Sequence, residues 1–335
     1  AVRNMLAGPR ASLAFHGSIA RAAADARAKG GRIMIWAGKE SRAVSAELSA
    51  TGLPTVRMED GFLRSRGLGS DFHLPASIVL DDQGIYFDRE RPSRLETILE
   101  TAEFPPELCA RAARIRERLV AAGLSKYNVG GAPAIAAPEG REALLVVGQV
   151  EDDRSIERGT AEIRTNLALL EAARADNPDA WIVFKPHPDV ESGNREGAVA
   201  ATALAALADA VARDANIIAC LDAADALATM TSLAGFEALL RGKRVTTYGG
   251  PFFAGWGLTE DRLAFARRTR RLTLDELVAG TLILYPRYIH PPTGLPCAPE
   301  EVIDWLGREA PSGSRRGRWI RALWQSVAGG RPVRY

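Results

Sequence analysis

Residues 143–156 read ALLVVGQVEDDRSI. An apolar run stops abruptly at Glu151, Asp152 and Asp153, and the helical pattern GTAEIRTNLALLEAA begins soon after, at Gly159. A strand that is apolar throughout is buried on both faces, as in a parallel sheet covered by helices. In such sheets the loops at the carboxyl ends of the strands form the ligand crevice. The three acids therefore stand either as helix caps, a role open to Asp152 or Asp153, or as carboxylates delivered to a site. Gln149 is delivered to the same place.

Working outward, short runs rich in β-branched residues alternate with longer segments of helical period. RIMIWA (32–37), PTVRM (54–58), SIVLDD (77–82), GIYFD (84–88), WIVFKPHP (181–188), NIIACL (216–221) and RVTTYG (244–249) read as further strands. Helices are expected in HGSIARAAADARAKG, PPELCARAARIRERLVAAGLS, SLAGFEALLRGK and the Ala-rich stretch 198–215. This alternation predicts an α/β fold of mostly parallel sheets. The aperiodic segment NVGGAPAIAAPEG separates the two halves. We expect a Rossmann-like domain over 1–128, a linker over 129–140, a second Rossmann-like domain over 141–290 and an extension over 291–335. Two such domains would face each other across a central cleft, and the last 50 or so residues would cover the body or cross back over it.

The composition, 47% hydrophobic and 25% charged, is that of an ordinary globular protein. No run approaches the ~20 apolar residues of a spanning helix, and the N-terminus lacks the apolar core of a secretory signal. The chain starts without Met, which suggests a processed product or a piece of a longer protein. Three widely spaced cysteines and four scattered histidines form no zinc pattern and point to reduced thiols in the cytoplasm. The net charge of +2 hides a basic tail: residues 311–335 carry six Arg and no acid, interleaved with Trp319 and Trp324. That tail suits an anionic membrane surface or serves as a solubilising end packed on the body. Nucleic acid is disfavoured as a partner, since no recognised motif accompanies the basic excess.

Three further strand ends bear chemistry. In FKPHPDV (184–190), Lys185 and His187 can donate hydrogen bonds to a phosphate, with Pro188 stiffening the turn. In MTSLAGFEALLRGK (230–243), Thr231 and Ser232 open a helix whose first N–H groups suit an anion, and Glu237 could accept from a ribose. In RMEDGFLRSRGLGSDF (57–72), Glu59 and Asp60 end a strand ahead of Arg64 and Arg66, a set fit for proton transfer near an acidic sugar. Each also has a plain reading as a cap, a rigid turn or solvated charge.

Together, MEDGFLRSRGLGSD, VLDDQGIYFD, LSKYN (124–128), GQVEDDRSI, KPHPDV with GNR (185–195), MTSLAGFEALLRGK and PFFAGWGLT resemble, in the same order, the KpsC-type capsule polysaccharide β-Kdo transferases. The resemblance implies a GT-B glycosyltransferase that takes Kdo from CMP-β-Kdo to a terminal Kdo of a lipid-linked oligosaccharide, with retention. Members carry two modules, so a second transferase module is an implied partner; this chain has the length of one and resembles the second, associated with the 2→7 linkage rather than 2→4. The implied site at the cytoplasmic face of the inner membrane needs no metal and no cofactor beyond the donor.

In that family's pattern Asp153 is the nucleophile, Glu59 and Asp60 are candidates for proton transfer, and His187 with Pro188 meets the donor phosphate. Thr231, Ser232 and Glu237 match the CMP side, and Lys126 joins Arg64 and Arg66 as a candidate for the acidic sugars. Two rival readings remain. In one, Glu151–Asp153 bind Mg²⁺ in a UDP-sugar transferase or epimerase; in the other, the chain is a non-catalytic module that docks the acceptor.

Overall fold

The computed structural model describes residues 5–6, 12–64, 75–124 and 137–307. Arg66, Lys126, most of the expected linker and the basic tail lie outside these residues. Strands β1 (Ile33–Trp36), β2 (Thr55–Asp60), β3 (Ser77–Asp81), β4 (Ala143–Val147), β5 (Trp181–Lys185) and β6 (Ala210–Val211) come first along the chain. Strands β7 (Ala226–Thr229), β8 (Arg244–Thr247), β9 (Glu260–Asp261), β10 (Pro286–His290) and β11 (Leu295–Pro296) follow. They form two sheets in an α/β architecture with a cleft between them.

The second sheet is parallel throughout, in the order β6-β5-β4-β7-β8-β9. That is the doubly wound Rossmann order, and its direction of winding reverses between β4 and β7. Every residue of β4 and of β7 is buried, which explains the continuous apolar reading of ALLVV. ALAT (226–229) lacks the β-branched signature, so β7 is missed from sequence. Its central place between β4 and β8 outweighs its weak propensity.

The first sheet is mixed, in the order β1-β2-β3-β10-β11. The helix Arg42–Ala50 connects the parallel pair β1 and β2, whereas β3 and β10 run antiparallel to their neighbours. β10 comes from the far end of the chain, so residues 286–290, drawn into the second domain from sequence, add to the first sheet. The helix Pro299–Gly307 then lies beside the helix Pro106–Ala121, tied by Arg111–Glu300 and Arg118–Asp304 ion pairs. The chain thus crosses back over its own body. Helices Arg94–Thr101 and Pro106–Ala121 share one core with the second sheet, through Leu95, Leu99, Ile115, Leu145, Val183 and Leu277.

Three segments depart from the local reading. GIYFD is a turn, because the buried Asp81 carboxylate accepts the Gln83 and Gly84 N–H groups at 3.0 and 2.8 Å and closes the chain on itself. NIIACL forms the helix Ile217–Ala223 because Asn216 Oδ1 caps the N–H groups of Ile218 and Ala219. The Ala-rich stretch is helical only over Ala201–Leu207. Asp209 interrupts it by accepting Ile182 N–H at 2.9 Å, which turns the chain into β6.

A buried ionic network joins the two sheets. Arg57 on β2 makes a bidentate pair with Glu40, at 2.6 and 2.8 Å, and Glu40 is wholly buried. Burial pushes the Glu40 carboxyl up, but Arg57 outweighs it and holds the group below the ordinary value. Arg158, on the helix Arg154–Gly159, reaches Asp88 at 3.5 Å and donates to the Glu40 carbonyl. Arg91 pairs with Asp88 at 2.9 Å and closes the ring. Removing one partner strands a desolvated charge, so Arg57→Met should lower folding stability by about 3–5 kcal/mol. Urea denaturation measures this, and a loss below about 1 kcal/mol would contradict the network's structural role.

Candidate functional site

Between the sheets lies a cleft of about 700 Å³, lined from both sides. The first sheet contributes Trp36 at the end of β1, Gly38 and Lys39 just after it, Glu59 and Asp60 at the end of β2, and Arg64. The second contributes Gln149 and Asp152–Ser155 after β4, His187, Asp189 and Arg195 after β5, and Thr231–Leu233 after β7. The β4–β7 junction is the reversal point of the sheet, where open α/β folds bind ligands.

The opening acids have separate partners. Glu151 accepts the Asn166 N–H at 2.7 Å and so anchors the helix Asn166–Asp176. Asp152 pairs with Arg195 at 2.9 Å. Asp153 is the N-cap of the helix Arg154–Gly159, accepting Ser155 N–H at 2.8 Å through Oδ1, and it is exposed in the cleft. Cap and cleft residue, the two readings of this carboxylate, are compatible because one oxygen serves the cap. The three carboxylates are thus each held by a different partner.

Gln149 acts as a clasp across the reversal point. Its Nε2 donates to Thr231 Oγ1 at 3.0 Å, and its Oε1 accepts Thr231 N–H at 2.9 Å. Its backbone is held in turn by the buried Asn166, whose Oδ1 accepts Gln149 N–H and whose Nδ2 donates to the Gln149 and Gly197 carbonyls. Asn166 escaped the sequence reading because a polar residue inside a helical pattern carries no sign of its tertiary partners. Thr231 and Ser232 line the cleft; Ser232 caps the helix Leu233–Leu240 by accepting Ala234 N–H.

His187 caps the short helix Pro188–Glu191, with Nδ1 accepting Asp189 N–H at 3.2 Å. That bond requires an unprotonated Nδ1, so the neutral ring carries its proton on Nε2. Burial pushes the imidazole below its ordinary value, with Lys185 and Arg195 adding to the effect against Asp189 and Asp153. Asp153 and His187 therefore sense each other's charge on the same wall.

On the opposite wall Glu59 accepts Gly38 N–H through Oε2 and Asp60 N–H through Oε1, both at 3.0 Å. Asp60 Oδ2 accepts from Arg64, while Asp60 Oδ1 is buried with no hydrogen-bond partner among the described residues. Phe62, Tyr86 and Phe252 pack against one another along the cleft, Tyr86 and Phe252 edge to face and the other two pairs tilted, with centroids 4.8–5.9 Å apart. Three expected residues, Lys185, Glu237 and Pro188, do not line the cleft. Lys185 is buried and does not line the cleft. Its carbonyl is taken by Gly148 N–H. Glu237 is buried beyond the first turn of its helix, away from the lining. Pro188 supplies the first residue of its helix and shapes the turn that presents His187.

Comparison with known proteins bears on this geometry. The model of the family described as capsule polysaccharide biosynthesis protein matches residues 32–288. The capsule polysaccharide modification protein LipA of Neisseria meningitidis serogroup A is 49% identical over 286 residues, 85% of this chain and 40% of LipA. The lipopolysaccharide-processing protein LpsZ of Rhizobium meliloti is 42% identical over 280 residues, 82% of this chain and 64% of LpsZ. The chain thus spans less than two thirds of the length of either relative. Among solved structures, the Thermosulfurimonas dismutans KpsC beta Kdo 2,4 transferase superposes with a TM-score of 0.74 at 37% identity, covering 82% of this chain and 86% of that one. The beta Kdo 2,7 transferase of the same protein gives 0.74 at 34% identity, covering 91% and 94%. The family match runs from the first strand of the first sheet to the strand that returns to it, enclosing both walls of the cleft, and the chain belongs to the capsule polysaccharide biosynthesis protein family.

Proposed function

We propose that the chain is a retaining β-Kdo transferase module, moving Kdo from CMP-β-Kdo to a terminal Kdo of a lipid-linked oligosaccharide. The observation that carries this reading is the division of the cleft: Asp153 and His187 on one wall, Glu59 and Asp60 on the other. The two KpsC neighbours support the choice of sugar, and their equal TM-scores leave the proposal at the β-Kdo bond rather than one linkage.

In the first step an Asp153 oxygen attacks C2 of the donor as the C2–phosphate bond breaks and its electron pair leaves with CMP. Kdo bears a carboxylate on C2, and the oxocarbenium-like state that develops there is trapped by the Asp153 carboxylate. His187 Nε2–H and the start of the helix Leu233–Leu240 stabilise the charge on the departing phosphate. In the second step an acceptor hydroxyl loses its proton to a carboxylate of the opposite wall. Its oxygen then attacks C2 and displaces Asp153. Two inversions give net retention, the logic of carboxylate pairs in retaining glycosidases. Glu59 and Asp60 both stand as that base: both Glu59 oxygens accept backbone N–H groups, whereas Asp60 pairs with Arg64 through Oδ2 and its Oδ1 is buried. The basic tail, the membrane surface and a second module complete the proposed setting at the inner-membrane face.

Incubation with CMP-Kdo should add the mass of one Kdo residue, mapping to residues 148–156 by peptide mass spectrometry. Asp153→Ala should abolish both the adduct and transfer, with a rate loss of roughly a thousandfold or more; full activity in that variant would remove Asp153 as nucleophile. A chelator should leave transfer intact, whereas its abolition would favour the Mg²⁺ reading. A second expectation concerns His187. Its lowered folded-state pKa makes the neutral ring the stabilising form. That contribution is complete above the unfolded value of about 6.5 and is lost as pH falls through the folded value. Binding of CMP should draw a proton onto the ring below about pH 6.5, read by calorimetry in buffers of different ionisation enthalpy; proton-neutral binding would place the phosphate elsewhere.

A further inference from the structure

We infer that Trp36 and Lys39 form the subsite that holds the acceptor sugar, with the indole as stacking platform and the Lys39 ammonium as partner of the acceptor's carboxylate. This rests on the transferase reading of the opposite wall and extends it to acceptor recognition.

The charges lining the cleft point to Lys39. Among the described residues three guanidiniums line the cleft, and each is already compensated: Arg64 by Asp60, Arg154 by Glu157 and Arg195 by Asp152. A paired cation offers an incoming carboxylate little net attraction. Lys39 is exposed, lines the cleft, and has no carboxylate partner among the described residues. Its backbone is nonetheless fixed. Ala37 and Glu40 on either side are wholly buried, and the Lys39 carbonyl accepts Ser41 N–H at 3.1 Å.

The same loop places the cation beside the proton-transfer wall. Gly38 N–H, one residue before Lys39, donates to Glu59 Oε2 at 3.0 Å. Trp36 ends β1 opposite Met58, the residue before Glu59, and packs in the cluster of Met58 and Ile78. Its ring edge lies 3.7–3.9 Å from where a Cβ on Gly38 would stand, so glycine leaves the flank of the indole clear. A half-buried indole beside a free ammonium and two carboxylates suits a sugar acid, with C–H groups against the ring and the carboxylate on the cation. A neutral sugar would make no use of Lys39.

The test compares affinities of the full chain for the methyl β-glycoside of Kdo and for its carboxyl-reduced counterpart, by calorimetry without donor. The wild type should prefer the carboxylate form by roughly five- to tenfold. Lys39→Met, a change at an exposed site, should bring that ratio close to one, and Lys39→Arg should restore part of it. A preference that survives in Lys39→Met, or is missing from the wild type, overturns the subsite. Consumption of CMP-Kdo by the wild type is scored separately. A protein that binds the glycoside through Lys39 but leaves CMP-Kdo intact keeps the subsite and loses the transferase reading.

Discussion

The buried ionic ring of Glu40, Arg57, Asp88, Arg91 and Arg158 sets the geometry on which the cleft depends. Arg57 lies on β2 two residues before Glu59, and Arg158 lies on the helix that Asp153 caps. One network therefore links the strand that carries Glu59 and Asp60, the proposed proton-transfer residues, to the helix that carries the proposed nucleophile. Glu40 and Asp88 are satisfied within the first half by Arg57 and Arg91, and the buried Arg158 guanidinium finds Asp88 and the Glu40 carbonyl only while both halves hold their places; an unsatisfied charge at that depth is costly. The spacing of the two walls is thus coupled to the stability of the protein, which suits a reaction that needs a carboxylate on each side of one sugar carbon.

Within the second sheet the equivalent constraint is the Gln149 side chain. It spans the reversal point between β4 and β7 and locks Thr231 against the loop that carries the acids. Its partner Asn166 fixes the loop from behind. These bonds make Gln149, which also lines the cleft, a residue that positions Thr231 and the loop bearing Asp153. The cap on Asp153 works in the same direction. A hydrogen bond to Ser155 N–H restricts the rotamers of the carboxylate while leaving its second oxygen for chemistry.

Much of the site was legible because its residues stand at strand ends, where periodicity breaks and the sequence turns abruptly polar. Asp153, His187, Thr231, Ser232, Glu59, Asp60 and Arg64 were all found that way, and all line the cleft. Lys185 and Glu237 sit in equally suggestive motifs, yet their side chains are buried away from the lining. A motif records residue type and spacing, and burial depends on what packs over it. Trp36 and Lys39 escape the sequence reading for the converse reason: each stands in an ordinary stretch, and only the opposing wall gives it a role; Arg195 falls in the GNR block, but its pairing with Asp152 is set by the fold.

The sequence by itself determined the α/β class, the buried parallel strand ALLVV and the polar strand ends, since these follow from local periodicity and capping chemistry. Tertiary structure decided the rest. It drew β10 into the first sheet, turned GIYFD into a loop around Asp81, and made a strand of ALAT by seating it between β4 and β8. These outcomes rest on hydrogen bonds between residues far apart in the chain, such as Tyr285 to Asp81 at 2.8 Å, which no local pattern encodes. The stretch EDD shows the division most clearly. Three adjacent acids are chemically alike in sequence, and distant partners, Asn166 for Glu151 and Arg195 for Asp152, leave Asp153 in the cleft with only a cap to its own helix among the described residues.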